Sequence, residues 1–235
     1  MAERRAMIRS LLLIALVAKC TALPPSCDKC YIRSLDNCGA GLFLFATGNK
    51  VPETDADQED FCRSQSEAQV WSRDYVQRCT RGMTRGHADH FLDDIKKEIM
   101  ERCFKSSSYR DDFTKYAPCL NKVGSKFHTC VKNFIMDLDV ASRLEPRQRI
   151  TGGCCKYKKL EVCMSDAIRG TCDKGAHDFV KRLLKHYEGN MLGILCANDW
   201  ANAKCKAIKY DDKPGDASLR SVIAPLIKVL EAIDA

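Results

Sequence analysis

Residues 62–103 read CRSQSEAQVWSRDYVQRCTRGMTRGHADHFLDDIKKEIMERC, and this stretch decides the fold class. Its apolar side chains recur at intervals of three and four residues, which predicts two consecutive amphipathic helices. Gly82 and Gly86 lie between the two stripes and favour a helix stop and a tight reversal. The apolar positions are Ala68, Trp71, Tyr75 and Cys79 in the first stripe, and Phe91, Leu92, Ile95, Ile99 and Cys103 in the second.

The cysteine spacing of this stretch recurs further along the chain. Intervals of 17 and 24 residues separate Cys62, Cys79 and Cys103, and the same intervals separate Cys155, Cys172 and Cys196. Two antiparallel helices bring the first cysteine of each set near the last, so we predict disulfides from Cys62 to Cys103 and from Cys155 to Cys196. The match suggests two related helical hairpins, although helical spacing alone also produces such overlaps.

The rest of the central region is helical by the same criterion. A long stripe covers 120–138, with Pro118 in the first turn, where proline is tolerated. Gly152-Gly153 interrupts the pattern, which resumes over 160–168 and again over 179–195. Alternation typical of strands is scarce. The sequence therefore predicts an all-α, disulfide-stapled helical bundle.

The predicted domain, residues 61–210, has a distinct segment on either side. Residues 23–60 form a cysteine-containing lead that ends in a turn-rich acidic stretch from Gly48 to Asp60, predicted as an exposed loop. Residues 216–235 are strongly apolar and contain no cysteine, which predicts a C-terminal helix that Asp216 or Ser218 caps and Pro225 kinks. This helix either completes the bundle, covers a ligand cavity or presents a face to another protein.

Residues 1–22 have the pattern of a signal peptide. Three arginines precede an uncharged apolar run over 11–18, which is too short to span a bilayer. Small residues permit cleavage after Cys20 or after Ala22, and either cut leaves an even number of cysteines, enough for seven disulfides. Those cysteines are Cys27, Cys30, Cys38, Cys62, Cys79, Cys103, Cys119, Cys130, Cys154, Cys155, Cys163, Cys172, Cys196 and Cys205.

Composition narrows the class of protein. Fifteen cysteines in 235 residues are typical of an oxidising, extracellular compartment. Without residues 1–22 the chain has 34 Lys+Arg against 30 Asp+Glu, and these charges are interspersed without a basic aromatic patch. Nucleic-acid binding and a membrane span are therefore not expected, and no motif indicates a cofactor.

Two cysteine blocks carry a resemblance. Tyr116-Ala117-Pro118-Cys119-Leu120 and Cys154-Cys155-Lys156-Tyr157, together with the spacing of the other cysteines over about 60–205, resemble the secreted haemolymph glycoproteins of insects and other arthropods. Related cysteine-rich secreted domains of nematodes and other invertebrates are also similar. The resemblance implies an extracellular, all-helical, disulfide-bonded domain. The chain has no Asn-x-Ser/Thr sequon, so N-linked sugar is not implied.

One cluster could carry metal chemistry. His87, Asp89, His90, Asp93 and Asp94 lie near the start of the second helix, and His90 and Asp94 are one turn apart, as in some divalent-metal sites. Acids in a first helical turn are also explained by the helix dipole. A secreted hydrolase or metal-dependent enzyme that uses His87 and His90 is therefore the alternative function.

Other catalytic patterns have less support. The Cys154-Cys155 doublet is reminiscent of secreted phospholipases, but Lys158 occupies the position of their catalytic histidine. The chain has no Gly-x-Ser-x-Gly motif, and His128, His177 and His186 each stand alone in helical segments. We therefore expect a secreted protein that is not an enzyme and acts by binding an extracellular protein or a small apolar molecule.

Overall fold

The computed structural model describes residues 27, 29–197 and 202–235, so the predicted signal peptide, Cys20 included, lies outside the described residues. The described part contains nine α-helices and a final 3-10 turn, and no strand. The helices are α1 Ile32–Cys38, α2 Asp55–Cys79, α3 Gly82–Cys103, α4 Ser108–Lys122, α5 Gly124–Ser142, α6 Pro146–Ile168, α7 Lys174–Leu195, α8 Asn202–Ala207 and α9 Ile223–Leu230. The fold is a disulfide-stapled all-α bundle, as predicted.

Helix α2 begins inside the stretch predicted as a loop. The Thr54 hydroxyl accepts a hydrogen bond from the N–H of Asp57, and this N-cap starts the helix at Asp55. The preceding turn is also anchored, because the Asn121 side chain bonds both the N–H and the carbonyl of buried Val51. The loop expected over Gly48 to Asp60 is therefore wrong from Asp55 onward, where the chain is helical, whereas residues 48–54 are not helical.

The long stripe over 120–138 belongs to two helices. Helix α4 ends at Lys122 and α5 begins at Gly124, with Pro118 in the interior of α4 and not in a first turn. Gly124 allows the chain to pass closely there, because a Cβ atom on it would lie 1.9 Å from the carbonyl oxygen of Asn49. The apolar residues keep their helical spacing from α4 into α5, so the sequence pattern does not reveal the break between the two helices.

Helix α6 runs through Gly152-Gly153, where an interruption was predicted. A Cβ atom on Gly152 would lie 2.5 Å from Leu144 Cδ1, and one on Gly153 would lie 3.2 Å from Val229 Cγ1. The two glycines therefore let α6 pack closely against its neighbours, including α9. Their role is close packing, and the contacts of α6 with its neighbours compensate for the low helix propensity of glycine.

Residues 42–46 are an apolar segment inside the bundle without being helical, and all five are buried. Their backbone polar groups bond to helix side chains: the Leu44 N–H donates to the Tyr187 hydroxyl at 2.9 Å, and the Phe45 carbonyl lies 2.7 Å from His128 Nδ1. These bonds satisfy backbone groups that would otherwise be costly to bury. The predicted lead is thus part of the core.

Seven disulfides cross-link the described cysteines. They join Cys27–Cys38, Cys30–Cys79, Cys62–Cys103, Cys119–Cys172, Cys130–Cys163, Cys154–Cys196 and Cys155–Cys205. The Cys62–Cys103 bond closes the α2/α3 hairpin, where the spacing places it. Every cross-link lies between residues 27 and 205, so the C-terminal segment is held without a covalent tie.

The predicted Cys155–Cys196 pair is wrong, because Cys154 occupies that position. Adjacent helix residues point about 100° apart, and on α6 the inward one is Cys154, which is buried with Cys196. Cys155 is half-buried and bonds Cys205 of α8 instead. The α6/α7 hairpin is therefore closed like α2/α3, but from a cysteine one residue earlier.

The apolar residues 222–230 pack against α5, α6, α1 and α3. Only Ile223–Leu230 is helical, and Pro225 lies in its first turn. The segment from Asp216 to Val222, predicted as the start of the helix, is not helical and contains a turn at Ala217 and Ser218. Among the described residues, no helix has the length and apolar character needed to cross a membrane.

Candidate functional site

An apolar cavity of about 20 Å³ lies beneath α9. The cavity is bounded in part by aliphatic side chains of the C-terminal segment and of α7. These side chains are Val222, Leu226, Val229 and Leu230 of the C-terminal segment, and Leu192 and Leu195 of α7. The C-terminal segment is thus one wall of an internal space, and it is the wall beyond the last disulfide.

The other walls are equally apolar. They are formed by Phe43, Phe91, Phe134, Leu138, Ile150, Gly153, Cys154 and Tyr157. The one hydroxyl among these side chains already has a partner, because Tyr157 donates to the Leu184 carbonyl. Burial, above all, raises the pKa of Tyr157 well above its ordinary value. No acid–base pair lines the cavity, so its chemistry is that of an apolar binding space.

Asp36 of α1 holds the beginning of this wall. Its buried carboxylate accepts hydrogen bonds from the N–H groups of Arg220 and Ser221, both at 2.8 Å, and from the Ser221 hydroxyl at 3.1 Å. Charge-assisted bonds of this kind are the strong ones in proteins. Asp36 therefore fixes the chain immediately before α9.

Two further carboxylates hold the segment elsewhere. Asp139 of α5 accepts from the Asp216 N–H at 3.1 Å and lies 3.4 Å from Lys228 Nζ. At the other end, Asp234 accepts from the N–H groups of Met83 and Thr84, both at 2.9 Å, and so caps α3. These bonds lower the pKa of Asp234 from its usual 3.8. Asp36, Asp139 and Asp234 therefore hold the apolar wall by polar contacts at both ends, and we call these three carboxylates the latches.

Helix α7 changes direction beside the cavity. Gly189 has φ 54° and ψ −161°, a conformation almost confined to glycine. Asp94 of α3 accepts from the N–H groups of Asn190 and Met191, at 2.8 and 3.3 Å, and so caps the part of α7 that follows the break. That part carries Leu192 into the cavity wall.

The His87/His90 region does not form a ligand set. Asp89 and Asp93 both pair with Arg73, at 3.5 and 2.6 Å, while Asp94 serves as the cap just described. His90 is exposed. Within the described ranges, no group of three His, Cys, Asp or Glu side chains could hold a metal ion. The structure gives the proposed metal-dependent chemistry at His87 and His90 no support.

A buried ion pair lies between α3 and its neighbours. Glu98 and Arg102 are fully buried, with Arg102 Nε 2.7 Å from Glu98 Oε1, and Gln65 accepts from Arg102 Nη2. The guanidinium lies over the rings of Phe61 and Phe113, at 5.5 and 5.3 Å. Burial alone would lower the pKa of Arg102, but the Glu98 charge reverses the effect and raises it. This enclosed pair holds the α2/α3 hairpin to α4.

A second concave region lies on the surface between α6 and α7, with a volume of about 370 Å³. Ser165 of α6 and His177 of α7 meet there, with Ser165 Oγ 3.0 Å from His177 Nε2. Both residues are half-buried. The groove thus contains a hydroxyl and an imidazole in hydrogen-bonding contact. The two side chains belong to different helices, and the sequence pattern alone does not bring them together.

No protein-family model, curated protein or solved structure matches the chain. The family suggested by the two cysteine blocks therefore stays a hypothesis.

Several of these residues carry no local signal in the sequence. Asp36, Asp94 and Asp234 cap backbone that lies far from them along the chain, and acids near helix ends are common on protein surfaces. The strong apolar pattern of residues 219–230 was the one available pointer to the cavity. This pattern predicted a buried C-terminal segment but gave no information about the cavity beneath it.

Proposed function

We propose that the protein is a secreted binding protein that takes up a small apolar molecule beneath α9. The observation that carries the proposal is the combination of a wholly apolar cavity with a wall that no disulfide tethers. Apolar cavities in proteins stay dry and accept apolar molecules of matching size. The seven disulfides fit an extracellular, oxidising environment.

The size of the cavity sets how binding must occur. A volume of about 20 Å³ accommodates one water-sized group, so a larger molecule enters only if a wall moves. Cross-links at Cys130–Cys163 and Cys154–Cys196 restrain the α5, α6 and α7 walls. The C-terminal segment is the wall with freedom to shift, and its latches re-form when it returns.

The latches make such a movement reversible. Each is a carboxylate that bonds backbone N–H groups, which water can replace when the segment lifts. Burying a Leu, Ile or Val side chain is worth roughly 1.5 to 3 kcal/mol, so the lifted segment leaves apolar surface that a ligand can cover. The ligand that fits these apolar walls is an uncharged, apolar molecule whose buried part has no hydrogen-bonding groups.

A pair of leucine variants tests the proposal. Leu226 lines the cavity, whereas Leu219 is equally buried in the same segment but does not line it. We expect Leu226→Ala to tighten binding of the fluorescent probe N-phenyl-1-naphthylamine by about fivefold or more, because it enlarges the cavity. Leu219→Ala should leave the affinity near that of the unaltered protein.

Thermal melting of both variants controls for general loosening, since each substitution should cost about 2 to 5 kcal/mol. Equal changes in probe affinity for the two variants would contradict the cavity as the binding site. Absence of probe binding to all three proteins would contradict the carrier function itself.

A further inference from the structure

The groove between α6 and α7 positions its two reactive side chains through rigid elements. Ser165 lies near the end of α6, and His177 lies in the first turn of α7, which Asp173 caps by accepting from the Ala176 N–H at 2.8 Å. The Cys119–Cys172 disulfide ties the intervening turn to α4. The 3.0 Å contact between Ser165 Oγ and His177 Nε2 is therefore held by a cap and a cross-link.

The contact has the geometry of a nucleophile and its base. A serine hydroxyl becomes nucleophilic when an adjacent base within about 2.6 to 3.2 Å can take its proton. With the imidazole proton on Nδ1, the Ser165 hydroxyl donates to Nε2, which is then free to accept that proton fully. The groove of about 370 Å³ leaves room for a small reactant beside the pair.

Charge around the pair selects the reactant. Lys158 and Arg169 line the groove and are paired with Glu161 and Asp166, whereas Lys181, also in the lining, makes no ion pair with a described residue. The lining has four cationic side chains against two carboxylates, an excess that favours a reactant with a negative charge. Val180 and Leu184, both buried, supply an apolar floor for its uncharged part.

We propose that Ser165 is a nucleophile activated by His177 and that the groove hydrolyses small, negatively charged esters. The groove is a second site with its own chemistry, and none of its lining residues lines the cavity beneath α9.

The reaction proceeds in two steps. Ser165 Oγ attacks the ester carbonyl carbon, His177 Nε2 takes the hydroxyl proton, and the bond to the leaving oxygen breaks as that oxygen receives the proton from His177. The products are the free alcohol or phenol and an acyl-Ser165 ester. Water then attacks the acyl carbon while His177 Nε2 takes a proton from it. The bond from the acyl carbon to Ser165 Oγ breaks and Oγ receives that proton from His177, which releases the carboxylic acid and restores Ser165.

The test uses the full disulfide-bonded protein and 4-acetoxy-3-nitrobenzoate, a charged ester whose phenol product is coloured. We expect acetyl on Ser165 by peptide mass mapping. Ser165→Ala and His177→Gln should each lower the release of phenol by about 100-fold, in the range of general-base effects.

Matched variants separate the site from background chemistry. Ser64→Ala and His90→Gln alter an exposed serine and an exposed histidine outside the groove and should leave the rate unchanged. Lys181→Gln should lower the rate with the charged ester by about fivefold or more while sparing the neutral ester 4-nitrophenyl acetate.

Two results would overturn the proposal. One is acetyl found on lysines but not on Ser165 in the unaltered protein, a measurement that does not depend on any variant folding. The other is a Ser165→Ala protein, folded by its melting curve, that retains the full rate, since His177 would then be the nucleophile.

Discussion

The carboxylate of Asp36 lies 2.8 Å from the backbone nitrogen of Ser221, although 185 residues separate them along the chain. This contact joins α1 to the segment that enters α9. It has a structural consequence: the two parts of the chain without long helices stabilise each other, and the apolar wall is placed by a polar group outside it.

The Asp36 contact should be costly to lose. We expect Asp36→Asn to lower the free energy of unfolding by about 2 kcal/mol, because an amide replaces a charged acceptor of three hydrogen bonds. Urea unfolding followed by circular dichroism measures this. Asp60→Asn, which alters an exposed pair with Arg63, is the control and should change stability by less than about 0.5 kcal/mol. Equal effects of the two substitutions would argue against the role of Asp36.

The buried pair of Glu98 and Arg102 predicts non-additive behaviour. Arg102→Met should cost about 3 to 5 kcal/mol, because it leaves the Glu98 charge buried without its partner. Combining it with Glu98→Gln should recover part of that loss, since no uncompensated charge then remains. A double-mutant cycle by denaturant unfolding checks the coupling, and simple addition of the two losses is the contrary result.

Two glycines should respond in opposite directions to alanine. Gly189→Ala should destabilise by more than about 1 kcal/mol, because its φ is +54° and its Cβ would lie 2.1 Å from Asp94 Oδ2. Gly86→Ala should stabilise by roughly 0.4 to 1 kcal/mol, since Gly86 is inside α3 with no atom within 4 Å of the added carbon. The melting temperatures of the two variants test the expected sign of each stability change. A raised melting temperature for Gly189→Ala would contradict the break in α7, and a lowered one for Gly86→Ala would contradict the open space beside α3.

The Asp234 latch should open in acid. The Thr84 and Met83 bonds lower the pKa of Asp234 below 3.8, so its contribution is present above that pH and is lost as pH falls through the lower value. We expect amide hydrogen exchange at Met83 and Thr84, corrected for intrinsic rates, to accelerate below about pH 3.8. In Asp234→Asn the acceleration across this window should disappear. Its persistence in that variant would assign the transition to another carboxylate.

Helical periodicity predicted the parts of the fold that local sequence determines. Phe91, Leu92, Ile95 and Ile99 form the buried face of α3, as their spacing requires, and Cys62 bonds Cys103. Periodicity could not choose between Cys154 and Cys155, because both belong to one helix and only the packing of α7 and α8 assigns their partners.

Long-range packing explains the remaining differences. Gly152 and Gly153 have the composition of a helix break, but contacts with Leu144 and Val229 make them a close-packing surface. Residues 42–46 lack any period, yet Tyr187 satisfies their backbone inside the bundle. The pairing of Ser165 with His177 likewise depends on how α6 turns into α7, which no spacing within either helix reveals.

Among the described residues, the confinement of the cross-links to residues 27–205 also determines how the molecule yields to force. Pulling on the C-terminus first loads the thirty residues after Cys205, which at about 3.4 Å each can extend by roughly 100 Å once α9 detaches. Beyond that extension the covalent bond at Cys205 transmits the load directly to α6. The chain therefore behaves as a short elastic tether attached to a stiff, cross-linked body.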